Sequence, residues 1–202
     1  MRIVFGFFNG GELMRRASVI LMSIGLLIFL FSTVVVAEEG EEVQHQYVGA
    51  AKCKVCHQAE KKGAQYVKWQ ESKHSKAYEA LASEAAITIG KAKGIDNPQT
   101  SDQCLKCHVT AFGAAAEAKA ESFDQTEGVG CEACHGPGSD YKKMAVMKDR
   151  EAALAAGLII PTAENCVGCH NEESPTYKEF DFEKFYAIIA HPDPTLTEET
   201  KE

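Results

Sequence analysis

Cys53-Lys-Val-Cys56-His57, Cys104-Leu-Lys-Cys107-His108, Cys131-Glu-Ala-Cys134-His135 and Cys166-Val-Gly-Cys169-His170 decide how this 202-residue chain is read. The four pentapeptides use all eight cysteines and four of the seven histidines. Paired cysteines in an exported chain ordinarily form disulfides, and C-x-x-C units also bind zinc. Neither chemistry explains a histidine directly after every pair. With seven histidines in 202 residues, that coincidence has odds of about one in a million. C-x-x-C-H is instead the attachment pattern of c-type haem, so four covalently held haems, each with its iron, are expected.

The spacing follows from the chemistry. Each thiol of a pair adds to one of two vinyl groups on the same porphyrin edge, and the next residue aims an imidazole nitrogen at the iron. Cys53, Cys56, Cys104, Cys107, Cys131, Cys134, Cys166 and Cys169 are therefore the expected haem-attachment residues. His57, His108, His135 and His170 are the expected proximal ligands, since neutral imidazole is a good donor to haem iron.

Composition points the same way. From Glu38 onward, Leu, Ile, Val and Phe make up 25 of 165 residues. That is below the roughly 20% at which a highly charged chain is expected to stay disordered. Four apolar macrocycles supply the missing interior, so the chain is expected to fold around its cofactor. The gaps between motifs are 46, 22 and 30 residues, which excludes a fixed-period repeat. Helices are expected over about residues 60–84, 140–156 and 179–190, with no sustained strand alternation. Asp96-Asn97-Pro98 reads as a turn, and Gly128 to Gly138 as a loop by its glycines and Pro137. The expected fold class is mainly α with much irregular coil, one multihaem unit over residues 38–202.

Three histidines lie outside the motifs, one fewer than the four remaining axial positions. His74 follows Trp69 within the expected first helix. His191 stands before Pro192, after the aromatic segment Phe180 to Ala190. His45 precedes the first haem cysteine by eight residues, in an acidic arm. Met144 and Met147 share a face with Leu154, an arrangement that serves core packing or thioether ligation. The candidate distal ligands are thus His74, His191, His45, Met144 and Met147.

Arg15 and Arg16 precede an apolar run from Ala17 to Val36, then Ala37 and an acidic stretch. Residues 1–37 read as a signal peptide cut after Ala37, which places the mature chain in the periplasm or otherwise outside the cytoplasm. The alternative is an uncleaved anchor, since about 20 apolar residues span a bilayer. The full chain carries a net charge of −8. Removing Arg2, Arg15, Arg16 and Glu12 with the leader leaves 18 basic and 28 acidic residues, a net −10. Such a surface excludes a nucleic-acid partner and favours a basic patch on a redox protein.

The residues also resemble the tetrahaem cytochrome c-554 family of periplasmic electron carriers. The resemblance rests on Tyr47 to Cys53, Trp69 with His74, Cys104 to Gly113, and Gly128 to Gly138, and it covers about residues 46–192. It implies electron transfer through closely packed haems, three bis-histidine and one five-coordinate. It implies His74 and His191 as distal ligands and the haem of Cys104, Cys107 and His108 as the open one. The chain departs from the pattern after Gly138, where the family places a distal histidine. Either a methionine replaces that ligand or His45 supplies it. The leading expectation is an electron carrier between redox proteins rather than an enzyme. Its rivals are a reductase of nitric oxide or another small nitrogen oxide at an open haem, and a subunit of a conductive filament.

Overall fold

The computed structural model describes residues 45–195, so the expected leader, residues 1–37, lies outside the described residues. Among the described residues no helix is long and apolar enough to cross a membrane.

Among the described residues there are ten short α-helices: α1 Ala50–His57, α2 Gln65–Glu71, α3 Ala77–Ala80, α4 Glu84–Ala92, α5 Asp102–His108, α6 Cys131–His135, α7 Met144–Met147, α8 Arg150–Ala155, α9 Ala163–Val167 and α10 Phe182–Ile189. Single 3-10 turns at Glu60–Lys62, Pro98–Thr100, Ala116–Ala118 and Gln125–Glu127 lie between them. No strand occurs among the described residues beyond one isolated bridge between Tyr47 and Lys119. The expected fold class, mainly α with much coil, is the one observed.

The helices are shorter than the sequence pattern predicts, for local reasons. The stretch expected as one helix over 60–84 breaks after Glu71. There the Ser72 hydroxyl donates to the Trp69 carbonyl at 2.7 Å, and the Ser75 hydroxyl donates to the Gln70 and Ser72 carbonyls at 2.9 and 3.0 Å. Serine hydroxyls that reach backbone carbonyls in this way offer the chain an alternative to helix. His74 consequently stands in a turn rather than on a helix face. Helix α4 was not expected; Ser83 starts it by accepting from the Ala86 amide at 3.2 Å. The stretch over 140–156 divides at Asp149, whose carboxylate accepts from the Ala152 amide at 3.0 Å and caps α8. The expected glycine-rich loop over 128–138 contains the one-turn helix α6, with Gly130 and Gly136 as its bounds.

The polypeptide's own apolar core is small. Among the described residues, Leu81, Leu105 and Val109 form its cluster, with Tyr78 and Cys104 packed against it. Long-range polar contacts do much of the joining. Glu132, only 3% exposed, accepts from the Val48 amide at 2.9 and 3.0 Å, from Gly49 at 2.8 Å and from Gly138 at 2.6 Å. Glu127 accepts from the Ala50 amide at 2.8 Å. Two carboxylates from the third-motif region therefore take up the orphan amides at the start of α1, the helix carrying the first motif. Burial raises the pKa of Glu127, opposed by its bond to the Ala50 amide.

Candidate haem sites

Three motifs lie wholly on helices, the first in α1, the second in α5 and the third in α6. The fourth begins on α9 with Cys166 and continues past its end through Cys169 and His170. One helical turn suits the pattern, because it turns both thiols and the histidine toward neighbouring sides of a single site. No two of the eight cysteines are joined in a disulfide. Among the described residues, no three or more His, Cys, Asp or Glu side chains gather where they could hold a bare metal ion.

The thiols of different motifs come together. Cys53 interacts electrostatically with Cys131, Cys107 with Cys169 and Cys134 with Cys166. These neighbourhoods string the motifs in the order first, third, fourth, second. Burial raises the Cys134 and Cys166 thiols above their ordinary values and pushes Cys169 up to about 12, so these remain neutral thiols in the bare chain. The interaction with Cys53, followed by burial, also raises Cys131. Lys106, inside the second motif, pairs with Glu173, three residues past the fourth, tying those two together at the surface.

The imidazoles give the test of fit. His74 and His170 face each other with ring centres 6.0 Å apart and planes at 76°. His135 and His191 do the same at 6.0 Å and 73°. Two metal–nitrogen bonds of about 2 Å each, plus the distance from each nitrogen to its ring centre, come to roughly 6 Å. The separation is therefore that of two imidazoles sharing one iron. Burial lowers the pKa of His74, His135 and His170, which favours the neutral form that ligates.

The outer nitrogens fix the tautomers. His108 Nδ1 donates to the Ala77 carbonyl at 2.6 Å, His135 Nδ1 to Ile159 at 3.0 Å and His191 Nδ1 to Ile189 at 2.7 Å. A carbonyl only accepts, so the proton is on Nδ1 and the Nε2 lone pair is left for a metal. Aromatic rings back the fourth site, with Phe180 stacked on His170 at 4.8 Å and on Phe185 at 5.5 Å.

His74 is held by the segment Gly128 to Gly130. Its carbonyl accepts from the Val129 amide at 3.0 Å, and the Trp69 indole donates to the Val129 carbonyl at 2.8 Å. Thr110, two residues past His108 and 1% exposed, donates its hydroxyl to Gly128 O at 3.0 Å and accepts from the Gly130 amide at 2.7 Å. One loop thus locks the second motif, the third motif and His74 together.

His45 does not sit on a free arm. Gln46 exchanges two hydrogen bonds with Ser139, its amide donating to Ser139 Oγ at 2.9 Å and its carbonyl accepting from the Ser139 amide at 3.0 Å. This puts His45 beside Asp140, with Nδ1 and Oδ2 2.9 Å apart. Met144 is 65% exposed on α7, and Met147 is half-buried. Glu127, Glu132, Thr110 and Asp140 were not singled out by sequence. The only signal for Glu132 is its charge inside a glycine-bounded motif, and for Asp140 its place where the resemblance lacks a histidine.

Residues 52–136 match the family described as cytochrome c554 and c-prime. The chain is 29% identical over 148 residues to cytochrome c-554 of Nitrosomonas europaea. Over its central part the chain is similar to the cytochrome c554 family. The match covers 65% of this chain and 61% of the relative, so the chain spans less than two thirds of that protein's length. The solved reduced cytochrome c554 of the same organism has a TM-score of 0.48 at 26% identity, over 72% of this chain and 78% of that one. That similarity supports covalently bound c-type haem, for which the cysteine pairs are the donors available.

Proposed function

We propose that this chain is an exported electron carrier with four c-type haems, passing electrons between redox proteins outside the cytoplasm after loss of residues 1–37. Bound haem supplies reversible one-electron exchange between ferric and ferrous iron. The chain's part is to attach, orient and space the sites. Cys53/Cys56, Cys104/Cys107, Cys131/Cys134 and Cys166/Cys169 attach one group each, with His57, His108, His135 and His170 as the proximal nitrogens. His191 is the distal partner of His135, and His74 that of His170. The observation that carries this reading is the pair of 6.0 Å imidazole separations.

His45 is the distal ligand at the first motif. Its neighbour Asp140 adjoins Tyr141, a buried residue that feels the Cys53 thiol, and His135 already faces His191. Met144 and Met147 hold no iron on this reading. His108 then remains without a second imidazole, which makes its iron the five-coordinate one. The neighbour order of the thiols supports a relay with the first and second motifs at its ends. The acidic surface favours basic partners and a salt-sensitive encounter.

EPR on the purified ferric protein tests the assignment, with three low-spin haems and one high-spin haem expected. His191→Ala and His74→Ala are each expected to convert one further haem to high spin. An unchanged count in either variant contradicts the corresponding pairing.

A further inference from the structure

Of the four histidines whose Nδ1 partner is seen, three donate to backbone carbonyls, and His45 alone meets a carboxylate. That carboxylate is itself built in. Asp140 Oδ2 also accepts from Ser139 Oγ at 2.9 Å, and Oδ1 accepts from Lys143 Nζ at 3.1 Å. The ring lies flat against Gly157. A β-carbon there would meet His45 Cδ2, Nε2 and Cγ at 3.0, 3.2 and 3.4 Å, and the backbone angle φ of +93° suits only glycine. His45 is therefore held at one edge by a charge and on one face by a bare backbone, with Nε2 as its remaining donor.

We propose that Asp140 is a positioning residue which, through His45, places one iron in a carboxylate–histidine–iron arrangement and lowers that site's potential. The proposal rests on the reading of His45 as an axial ligand. A carboxylate accepting from Nδ1–H makes imidazole a stronger donor than a carbonyl does, and stronger donation favours ferric over ferrous iron. Lys143 on the far oxygen and the partial exposure of the pair, 24% and 34%, temper the effect without reversing it. The site served by His45 is thereby set apart from the one served by His191, whose Nδ1 partner is the Ile189 carbonyl.

Potentiometric titration and EPR of the full exported protein, as wild type, Asp140→Asn, Lys143→Gln and His45→Ala, test this. Asp140→Asn keeps an oxygen acceptor without the charge. It is expected to leave haem content and spin count unchanged, to move one midpoint positive and to alter the g values of one low-spin signal. Lys143→Gln, a change at an exposed side chain, is expected to move the same midpoint negative, and it keeps the test open if the aspartate variant loses haem. Unmoved midpoints, or a moved midpoint with unaltered g values, overturn the role of Asp140. His45→Ala separates the two levels. One added high-spin haem keeps the ligand reading even if Asp140→Asn changes nothing, whereas an unchanged spin count removes both.

Discussion

Glu132→Ala is expected to destabilise the folded protein by at least about 3 kcal/mol, because three buried backbone amides lose their acceptor at once and each unsatisfied donor costs about 1–3 kcal/mol. The amides belong to Val48, Gly49 and Gly138, so the change loosens the start of α1 and the exit of the third motif together. The residue is 3% exposed, so these amides lie away from bulk solvent in the folded chain. Glu132→Gln keeps one acceptor oxygen but turns an amide group toward a donor, and is expected to recover about half of the loss. Denaturant unfolding followed by Trp69 fluorescence and haem absorbance measures both variants. A midpoint for the alanine variant equal to wild type would show that the carboxylate clasp does not hold the first and third motifs together.

Gly128→Ala is expected to have an effect of similar size, with a spectroscopic signature of its own. Gly128 has φ of 82° and ψ of −145°, a region that is essentially restricted to glycine and costs other residues about 1–3 kcal/mol. An added β-carbon would also lie 2.7 Å from the His74 carbonyl and 3.1 Å from that of Ser75. Neither atom can yield without moving the turn that holds His74. The variant is therefore expected to lose stability and to show partial high-spin character at the haem facing His74. Retention of the wild-type melting temperature and low-spin count would mean that this loop does not set the position of His74.

The four C-x-x-C-H motifs were legible in the sequence because thioether attachment dictates a fixed spacing over five residues, independent of the fold around them. The fold class was legible for a related reason: too few large aliphatic residues to make a core by themselves, and no strand alternation. Helix boundaries were not. Apolar periodicity over 60–84 describes one face but does not register Ser72 and Ser75 turning their hydroxyls onto the backbone. Asp149 likewise reads as one more charge in a helix until it is seen capping α8. The pairings of His74 with His170 and His135 with His191 join residues far apart in the chain, which no local pattern can announce. Glu132 and Asp140 were missed for the same reason, because each acts on residues more than eighty positions away, Val48 and His45 respectively.

The most direct measurement of the central claim is the intact mass of the purified protein under denaturing conditions, together with a count of free thiols. Four haem additions and no titratable thiol are predicted, because every cysteine lies in one of the four attachment motifs. A mass equal to the polypeptide alone, or eight reactive thiols, would contradict the account.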